Sequence, residues 1–226
     1  MSIWTRIAEA ISALANGEGL SAVFDKMRAS PDRTVAFAIA VIALGAKMAK
    51  ADGVVTKDEV VAFREVFVIP PEEEANAARV FNLARQDVAG FDIYARRIKA
   101  MYGTDTAPLC DLLEGLFHIA MADGVYHPKE DDFLREVAEI FGFEERRFKR
   151  IRAQFVPQAE RDPYDVLGVT PDASMEEVRA AWRRLVRDTH PDRMIARGVP
   201  EEAIKLAERR MVAINSAWED IQGARG

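Results

Sequence analysis

Apolar residues recur at helical spacing from one end of the chain to the other. The first stripe consists of Ile3, Ile7, Ile11 and Leu14, and Arg6 and Glu9 occupy the opposite face. Valine-rich alternating runs bounded by hairpin turns, the pattern typical of strands, do not occur in the sequence. Prolines stand at or near the heads of periodic segments, where a missing N–H costs nothing. The sequence therefore predicts an all-α protein.

The longest apolar run, VAFAIAVIALGAKMA, covers 15 residues from Val35 to Ala49 and contains Lys47. Because a membrane span needs about 20 apolar residues, the run predicts a buried core helix. The N-terminus has no long apolar region behind a basic start, so we predict no signal peptide. We expect the first stripe to pack on the rest of the protein, with peripheral membrane contact as the alternative.

A change in composition marks a domain boundary. The stretch FVPQAERD at 155–162 carries a proline and little apolar content. We predict an amphipathic segment at 1–30, a helical domain at 31–154, a linker at 155–161 and a second domain at 162–226.

The first domain contains an internal repeat, because KADGVVTKDEV at 50–60 recurs as MADGVYHPKED at 121–131. The spacing from Asp52 to Glu59 matches the second half of a calcium-binding EF-hand loop. Met48 and Lys50 stand where the first half needs carboxylates. Helix capping explains the same residues, since Gly53 and Gly124 suit helix ends, and Thr56 with Glu59 forms a capping box. We predict no metal site.

The repeated Ala-Asp-Gly-Val elements resemble the TerB-like family over about residues 30–150. The resemblance implies an all-helical fold with two Asp-Gly elements related by a pseudo-twofold axis. Divalent metal binding and protein association have been linked to that family. As an alternative to capping, the resemblance therefore keeps Asp52, Glu59, Asp123 and Glu130 open as metal ligands.

The second domain begins DPYDVLGVTPDASMEEVRAAWRRLVRDTHPDR. Gly168 ends a short first helix, and Ser174 with Glu177 predicts a capping box at the start of the next. That second helix places its apolar residues on one face, namely Val178, Ala181, Trp182, Leu185 and Val186. A long helix from about Pro200 to Gln222 supplies the opposing face through Leu206, Met211, Ile214, Ala217, Trp218 and Ile221. We predict an antiparallel helical hairpin whose core includes both tryptophans.

A basic stripe runs along another face of the second helix and consists of Arg179, Arg183 and Arg187, with Arg184 beside them. The loop that joins the hairpin carries His190, Pro191 and Asp192, and Pro191 fixes where the second helix stops. A displayed carboxylate beside arginines suits a charged protein partner. The alternative for the stripe alone is a solvated helix face.

Catalytic and nucleic-acid functions find little support. The His190 and Asp192 pair lacks a nucleophile and an oxyanion site, and the sequence has no glycine-rich phosphate loop. The three histidines have no zinc-like spacing with the single cysteine, Cys110, which we expect to be a buried structural thiol. The net charge of −6 argues against broad nucleic-acid affinity. We predict a non-enzymatic protein without cofactor or metal.

The residues from 162 to 222 resemble the J domain of DnaJ-type co-chaperones, through DPYDVLGV, the basic helix, His-Pro-Asp and INSAWEDI in that order. A TerB-like domain followed by this J domain resembles the DjlA-like co-chaperones. The resemblance implies docking on a DnaK-type ATPase chaperone through Arg179, Arg183, Arg184 and Arg187, with His190, Pro191 and Asp192 triggering ATP hydrolysis in the partner. The TerB-like domain would bind an unknown client, a second copy of the chain as a homodimer, or another factor.

DjlA-like co-chaperones carry an amino-terminal membrane span, whereas residues 1–30 here hold six charged side chains: Arg6, Glu9, Glu18, Asp25, Lys26 and Arg28. Burying such charges in a bilayer costs about 2.5 kcal/mol or more each. We therefore predict a cytoplasmic protein without a transmembrane span. The alternative function is a metal-responsive stress or envelope adaptor that acts through the TerB-like domain.

Overall fold

The chain is helical, as predicted, and the computed structural model describes residues 3–12, 19–20, 22–27, 32–51, 69–86, 90–121, 124–156, 162–200 and 205–225. The helices are α1 (Ile3–Ser12), α2 (Ala22–Met27), α3 (Arg33–Ala51), α4 (Glu74–Gln86), α5 (Phe91–Tyr102), α6 (Thr106–Ala120), α7 (Pro128–Phe141), α8 (Glu145–Phe155), α9 (Pro163–Leu167), α10 (Met175–Thr189), α11 (Pro191–Ala196) and α12 (Lys205–Arg225). A short 3₁₀ turn, Pro71–Glu73, precedes α4. Within these ranges the chain contains no β-strand.

The apolar helix α3 forms the centre of the N-terminal helical domain. Residues 35–44 are all buried, and α1, α4, α5, α6 and α7 pack around them. The prediction of a core helix is therefore confirmed. The α1 stripe is buried at Ile3, Ile7 and Ile11, as expected for packing on the rest of the protein, and Leu14 lies outside the described residues.

The second copy of the repeat ends α6 and begins α7. Gly124 adopts a left-handed conformation with φ of 81°, and Pro128 occupies the first turn of α7. The carboxylate of Glu130 accepts a hydrogen bond from the His127 backbone N–H at 2.9 Å, which caps the helix start. The first copy beyond Ala51, including Asp52, Gly53, Thr56 and Glu59, lies outside the described residues, as does Asp123.

The C-terminal helical domain is the predicted hairpin of α10 and α12, with α9 packed against both. The carboxylate of Asp162 caps α9, and Gly168 ends it at φ of 69°. Both halves of the predicted capping box form, because Ser174 Oγ accepts from the Glu177 N–H at 3.2 Å and Glu177 Oε2 accepts from the Ser174 N–H at 2.8 Å. Local sequence chemistry therefore fixes where α9 ends and α10 begins.

The hairpin core forms as predicted. Val178 and Ala181 of α10 are buried, together with Ile214, Ala217 and Ile221 of α12. The half-buried rings of Trp182 and Trp218 stack with centroids 5.2 Å apart, and Trp182 Nε1 donates to Asn215 Oδ1 at 3.0 Å. The paired tryptophans therefore belong to the facing surfaces of the hairpin.

The connection between the two hairpin helices differs from the predicted loop. Pro191 begins α11, which continues to Ala196. Proline is favoured at a first helical position, because its φ suits the helix and no N–H is required there. The connection therefore contains a rigid turn of helix that starts at the His-Pro-Asp sequence.

Candidate functional site

The His-Pro-Asp tip lies at the exposed end of α10. His190 has φ −56° and ψ 135°, which ends α10 at Thr189 and places Pro191 at the start of α11. The His190 Nδ1 atom accepts a hydrogen bond from the Asp192 backbone N–H at 3.3 Å. This hydrogen bond uses the lone pair of an unprotonated Nδ1, so it orients the ring as a cap on α11.

The tip carboxylate points into solvent. The Asp192 side chain is 87% exposed and that of His190 is 59% exposed. Asp192 Oδ2 lies 3.7 Å from His190 Nδ1, and within the described part of the chain it forms no ion pair with a lysine or an arginine. The carboxylate is therefore available to a cation on another molecule.

The predicted arginine stripe lies on α10, and all four of its side chains are exposed: Arg179, Arg183, Arg184 and Arg187. None of them forms an ion pair or a side-chain hydrogen bond with another residue that the structure describes. Arg193, just beyond the tip, differs because its Nη1 atom lies 2.6 Å from Asp188 Oδ1. The stripe therefore presents uncompensated positive charge on a rigid helix.

A cluster of four charged side chains, which we call the seam cluster, joins the two domains. It contains Asp111 and Glu114 of α6, Arg197 at the end of α11 and Arg210 of α12. Asp111 is 1% exposed and Glu114 is 2% exposed, while Arg197 and Arg210 are 19% and 13% exposed. Buried ion pairs therefore hold the two domains together.

Each acid in the seam cluster has an arginine partner. Arg197 Nη2 lies 3.0 Å from Asp111 Oδ2, Arg210 Nη1 lies 3.1 Å from Asp111 Oδ1, and Arg210 Nη2 pairs with Glu114. Arg197 Nη1 also donates to the Asp188 carbonyl at 3.0 Å. Because Arg197 contacts both Asp188 and Asp111, it ties the end of α10, and with it the tip, to the N-terminal domain.

Burial governs the ionisation of the groups beside the cluster. It raises the pKa of Glu114, an effect that the charge of Arg210 only partly offsets. Burial, followed by the negative charge of Glu114, raises the pKa of the Cys110 thiol to about 11. The Cys110 Sγ atom lies 3.6 Å from Glu114 Oε1. Cys110 is half-buried, not fully buried as predicted. Because a reactive cysteine needs a lowered pKa, its raised pKa still fits a structural thiol.

Apolar contacts complete the seam. Met194, Val199 and Ala207 are buried and join the core of the N-terminal domain. Sequence reasoning missed the seam altogether. The available signal was a pair of acids one helical turn apart, Asp111 and Glu114, within an otherwise apolar helix. Buried acids at such positions need cationic partners.

The metal hypothesis gains no support from the described residues. The Glu130 carboxylate is used in a helix cap, and Asp52, Glu59 and Asp123 lie outside the described ranges. No group of three or more potential ligands gathers in the part of the chain that the structure describes.

Comparison with protein families finds two matches. The family described as "Tellurite resistance protein TerB" matches residues 38–153, and the family described as "DnaJ domain" matches residues 162–223. No solved structure matches the chain.

Among curated proteins, the chain is similar to "Co-chaperone protein DjlA" of several bacteria. The protein of Photobacterium profundum is 28% identical over 227 residues, which cover 87% of this chain and 80% of that protein. That of Vibrio parahaemolyticus is 27% identical, covering 90% and 83%, and that of Coxiella burnetii is 29% identical, covering 79% and 73%.

The predicted cytoplasmic location is wrong. The relatives that align with most of the chain are DjlA proteins, which are membrane-anchored co-chaperones. Among the helices described in the structure, none is both long and apolar enough to cross a membrane.

Proposed function

The chain belongs to the TerB family and carries a C-terminal DnaJ domain, the architecture of a DjlA-like J-domain co-chaperone, and on this premise we propose that it docks on a DnaK-type chaperone and stimulates its ATP hydrolysis. The docking surface consists of the arginine stripe, Arg179, Arg183, Arg184 and Arg187, and the tip, His190, Pro191 and Asp192. The family assignment supports a DnaK-type partner, since a J domain implies one.

The observation that carries the proposal is the uncompensated charge on α10 and its tip. A 15-residue helix holds four arginines without acidic partners among the described residues and ends beside a carboxylate that is 87% exposed. Exposed charges arranged in this way favour association with a partner of complementary charge and set its orientation. Asp192 is suited to a forked pair with an arginine of the partner.

Stimulation requires more than docking. A surface that binds two conformations of the partner equally shifts neither, so the stripe and the tip must bind the hydrolysis-competent conformation more tightly. The catalytic residues then belong to the partner. J-domain families are generally non-enzymatic, and we propose that this chain acts as an activator, not an enzyme.

The TerB domain has the second role in the proposal. We propose that it binds a client protein, a second copy of the chain or another factor, while the seam cluster holds the J domain in a fixed orientation beside it. The buried pairs of Asp111 with Arg197 and Arg210 support the fixed orientation, because separating them would leave charged groups without partners.

Charge reversal on the stripe tests the docking step. The variant Arg183→Glu with Arg187→Glu changes two exposed side chains, so the fold should persist. We expect its affinity for the ATP-bound partner, measured by calorimetry, to fall at least about 30-fold at low salt, since like charges then face each other. The matched control is Arg96→Glu with Lys149→Glu, which reverses two exposed cations of the TerB domain.

The control variant should bind within about twofold of the wild type, because exposed charges outside the docking surface contribute little to binding. Wild-type affinity in Arg183→Glu with Arg187→Glu would contradict docking through α10. Circular dichroism of both variants checks that the helices remain folded.

A further inference from the structure

A second group of arginines lies across the seam from α10, on α8 of the TerB domain. Arg147 and Arg150 are half-buried and line one groove of about 260 Å³ together with Arg184, Asp188 and other residues of both domains. We call this the seam groove. It lies between the TerB domain and the tip end of α10, and therefore borders the proposed docking surface.

The positions of the two α8 arginines are defined by their contacts. The Arg147 guanidinium lies 4.1 Å from the centroid of the Phe143 ring, and its Nη1 atom is 3.5 Å from Thr106 Oγ1. The Arg150 guanidinium lies against Gly168 at the end of α9. These contacts hold both guanidinium groups in place beside the J domain.

The positive charge of the seam groove is not neutralised from within. Three acids line the groove, but Asp111 and Glu114 pair with Arg197 and Arg210, and Asp188 pairs with Arg193. Arg147, Arg150 and Arg184 form no ion pair with any residue in the described ranges. Three arginines of the groove are therefore left without an ion-pair partner among the described residues.

The pKa of Arg150 is consistent with an excess of positive charge in the seam groove. Burial, together with the positive charges of Arg147 and Arg146, lowers the pKa of Arg150. Asp165 partly offsets these effects on Arg150, and its Oδ1 atom forms an ion pair with Arg146 Nη2 at 3.7 Å. Placing like charges together is unfavourable in the free chain, and an acidic group from another molecule would relieve the repulsion.

Helix geometry connects the groove to the arginine stripe. Successive helical residues turn by about 100°, so Arg179, Arg183 and Arg187 span about 80°, and Arg184 lies about 60° beyond Arg187. Arg184 therefore faces towards the side of α10 that lines the groove with Arg147 and Arg150. The basic surface runs from the stripe through Arg184 onto α8.

We propose that the surface that receives the DnaK-type partner extends across the seam onto the TerB domain, where Arg147 and Arg150 bind acidic side chains of the same partner. This inference rests on the proposed function and adds two residues of the other domain to the docking surface. The seam cluster fixes the end of α10 relative to α6, and so it keeps the arginines of α10 and of α8 at fixed relative positions. The TerB domain then contributes directly to recognition of the chaperone.

The test uses the full chain and the ATP-bound partner. Arg147→Gln with Arg150→Gln should weaken binding about tenfold at low salt, because two interfacial charges are lost. The matched control, Arg96→Gln with Lys149→Gln, removes two exposed cations of the same domain and should stay within about twofold of the wild type. The salt dependence of the dissociation constant should become shallower in the first variant only.

Two further measurements distinguish a loss of binding contacts from a folding defect. Arg147→Lys with Arg150→Lys retains the charges and should bind more tightly than the glutamine variant. In the wild-type chain, hydrogen exchange of α8 backbone amides should slow together with that of α10 when the partner is added. An affinity of Arg147→Gln with Arg150→Gln equal to that of its control, or an α8 without added protection, overturns the extension.

The outcomes separate this inference from the proposed function. Loss of binding in Arg183→Glu with Arg187→Glu, combined with unchanged binding in Arg147→Gln with Arg150→Gln, would confine docking to the J domain. Absence of binding by the wild-type chain, or wild-type affinity after reversal of Arg183 and Arg187, would refute the proposed function and the extension together.

Discussion

Removing the Asp111 carboxylate should destabilise the protein far more than removing any surface carboxylate. In the folded chain Asp111 is 1% exposed and forms ion pairs with Arg197 and Arg210, with closest contacts of 3.0 Å and 3.1 Å. Asp111→Ala leaves both guanidinium groups in the seam without this partner. Breaking a buried ion pair by removing one member costs about 3–5 kcal/mol.

The structure favours the lower end of that range. Arg210 retains Glu114, and Arg197 retains its hydrogen bond to the Asp188 carbonyl. We therefore expect a loss of about 3 kcal/mol in the free energy of unfolding. For a chain of this size the corresponding fall in Tm is about 6–12 °C.

Urea denaturation followed by circular dichroism, with calorimetry for Tm, measures the effect. Asp92→Ala is the control, because it removes a half-exposed surface carboxylate that pairs with Arg96 at 2.8 Å across one helical turn. Such a pair contributes about 0.5 kcal/mol or less. If Asp111→Ala destabilises the chain no more than Asp92→Ala does, the seam cluster does not hold the domains together.

Two further predictions concern ionisation and capping. Burial raises the pKa of Glu114 above its ordinary value of 4.5. The wild type should therefore lose stability relative to Glu114→Gln as pH rises from about 4 through that raised pKa. Urea midpoints of both proteins at several pH values measure the stability difference, and a difference that does not change with pH would contradict the assigned direction. Ser174→Ala removes the hydroxyl that accepts the Glu177 N–H and should cost about 1 kcal/mol; thermal unfolding measures it, and Ser216→Ala on an exposed face of α12 is the control.

Features determined by neighbouring residues could be predicted from the sequence. Gly168 ends α9, Ser174 and Glu177 cap α10, and Pro191 stops α10 because each acts through its own backbone or within one helical turn. The apolar periodicity of α10 and α12 predicts the hairpin and its facing tryptophans. These features also carry the resemblance to J domains.

Features that depend on distant residues could not be predicted. The pair of Arg210 and Glu114 joins residues 96 positions apart, and nothing local to either residue specifies the partner. The sequence predicts a loop where the structure has α11. The prediction fails because this helix is stabilised by Met194, which is buried in the core of the other domain. The wrong cytoplasmic location rests on charges in residues 1–30, and such charges test only whether that segment itself can span a membrane.

The most direct test of the central claim is single-turnover ATP hydrolysis by the DnaK-type partner in the presence of the full chain. The wild type should accelerate hydrolysis, and Asp192→Asn should abolish the acceleration while its circular dichroism spectrum stays unchanged. Asp220→Asn, an exposed carboxylate change on α12, is the control and should accelerate hydrolysis like the wild type. Full acceleration by Asp192→Asn, or none by the wild type, would contradict the claim that the exposed tip activates a chaperone ATPase.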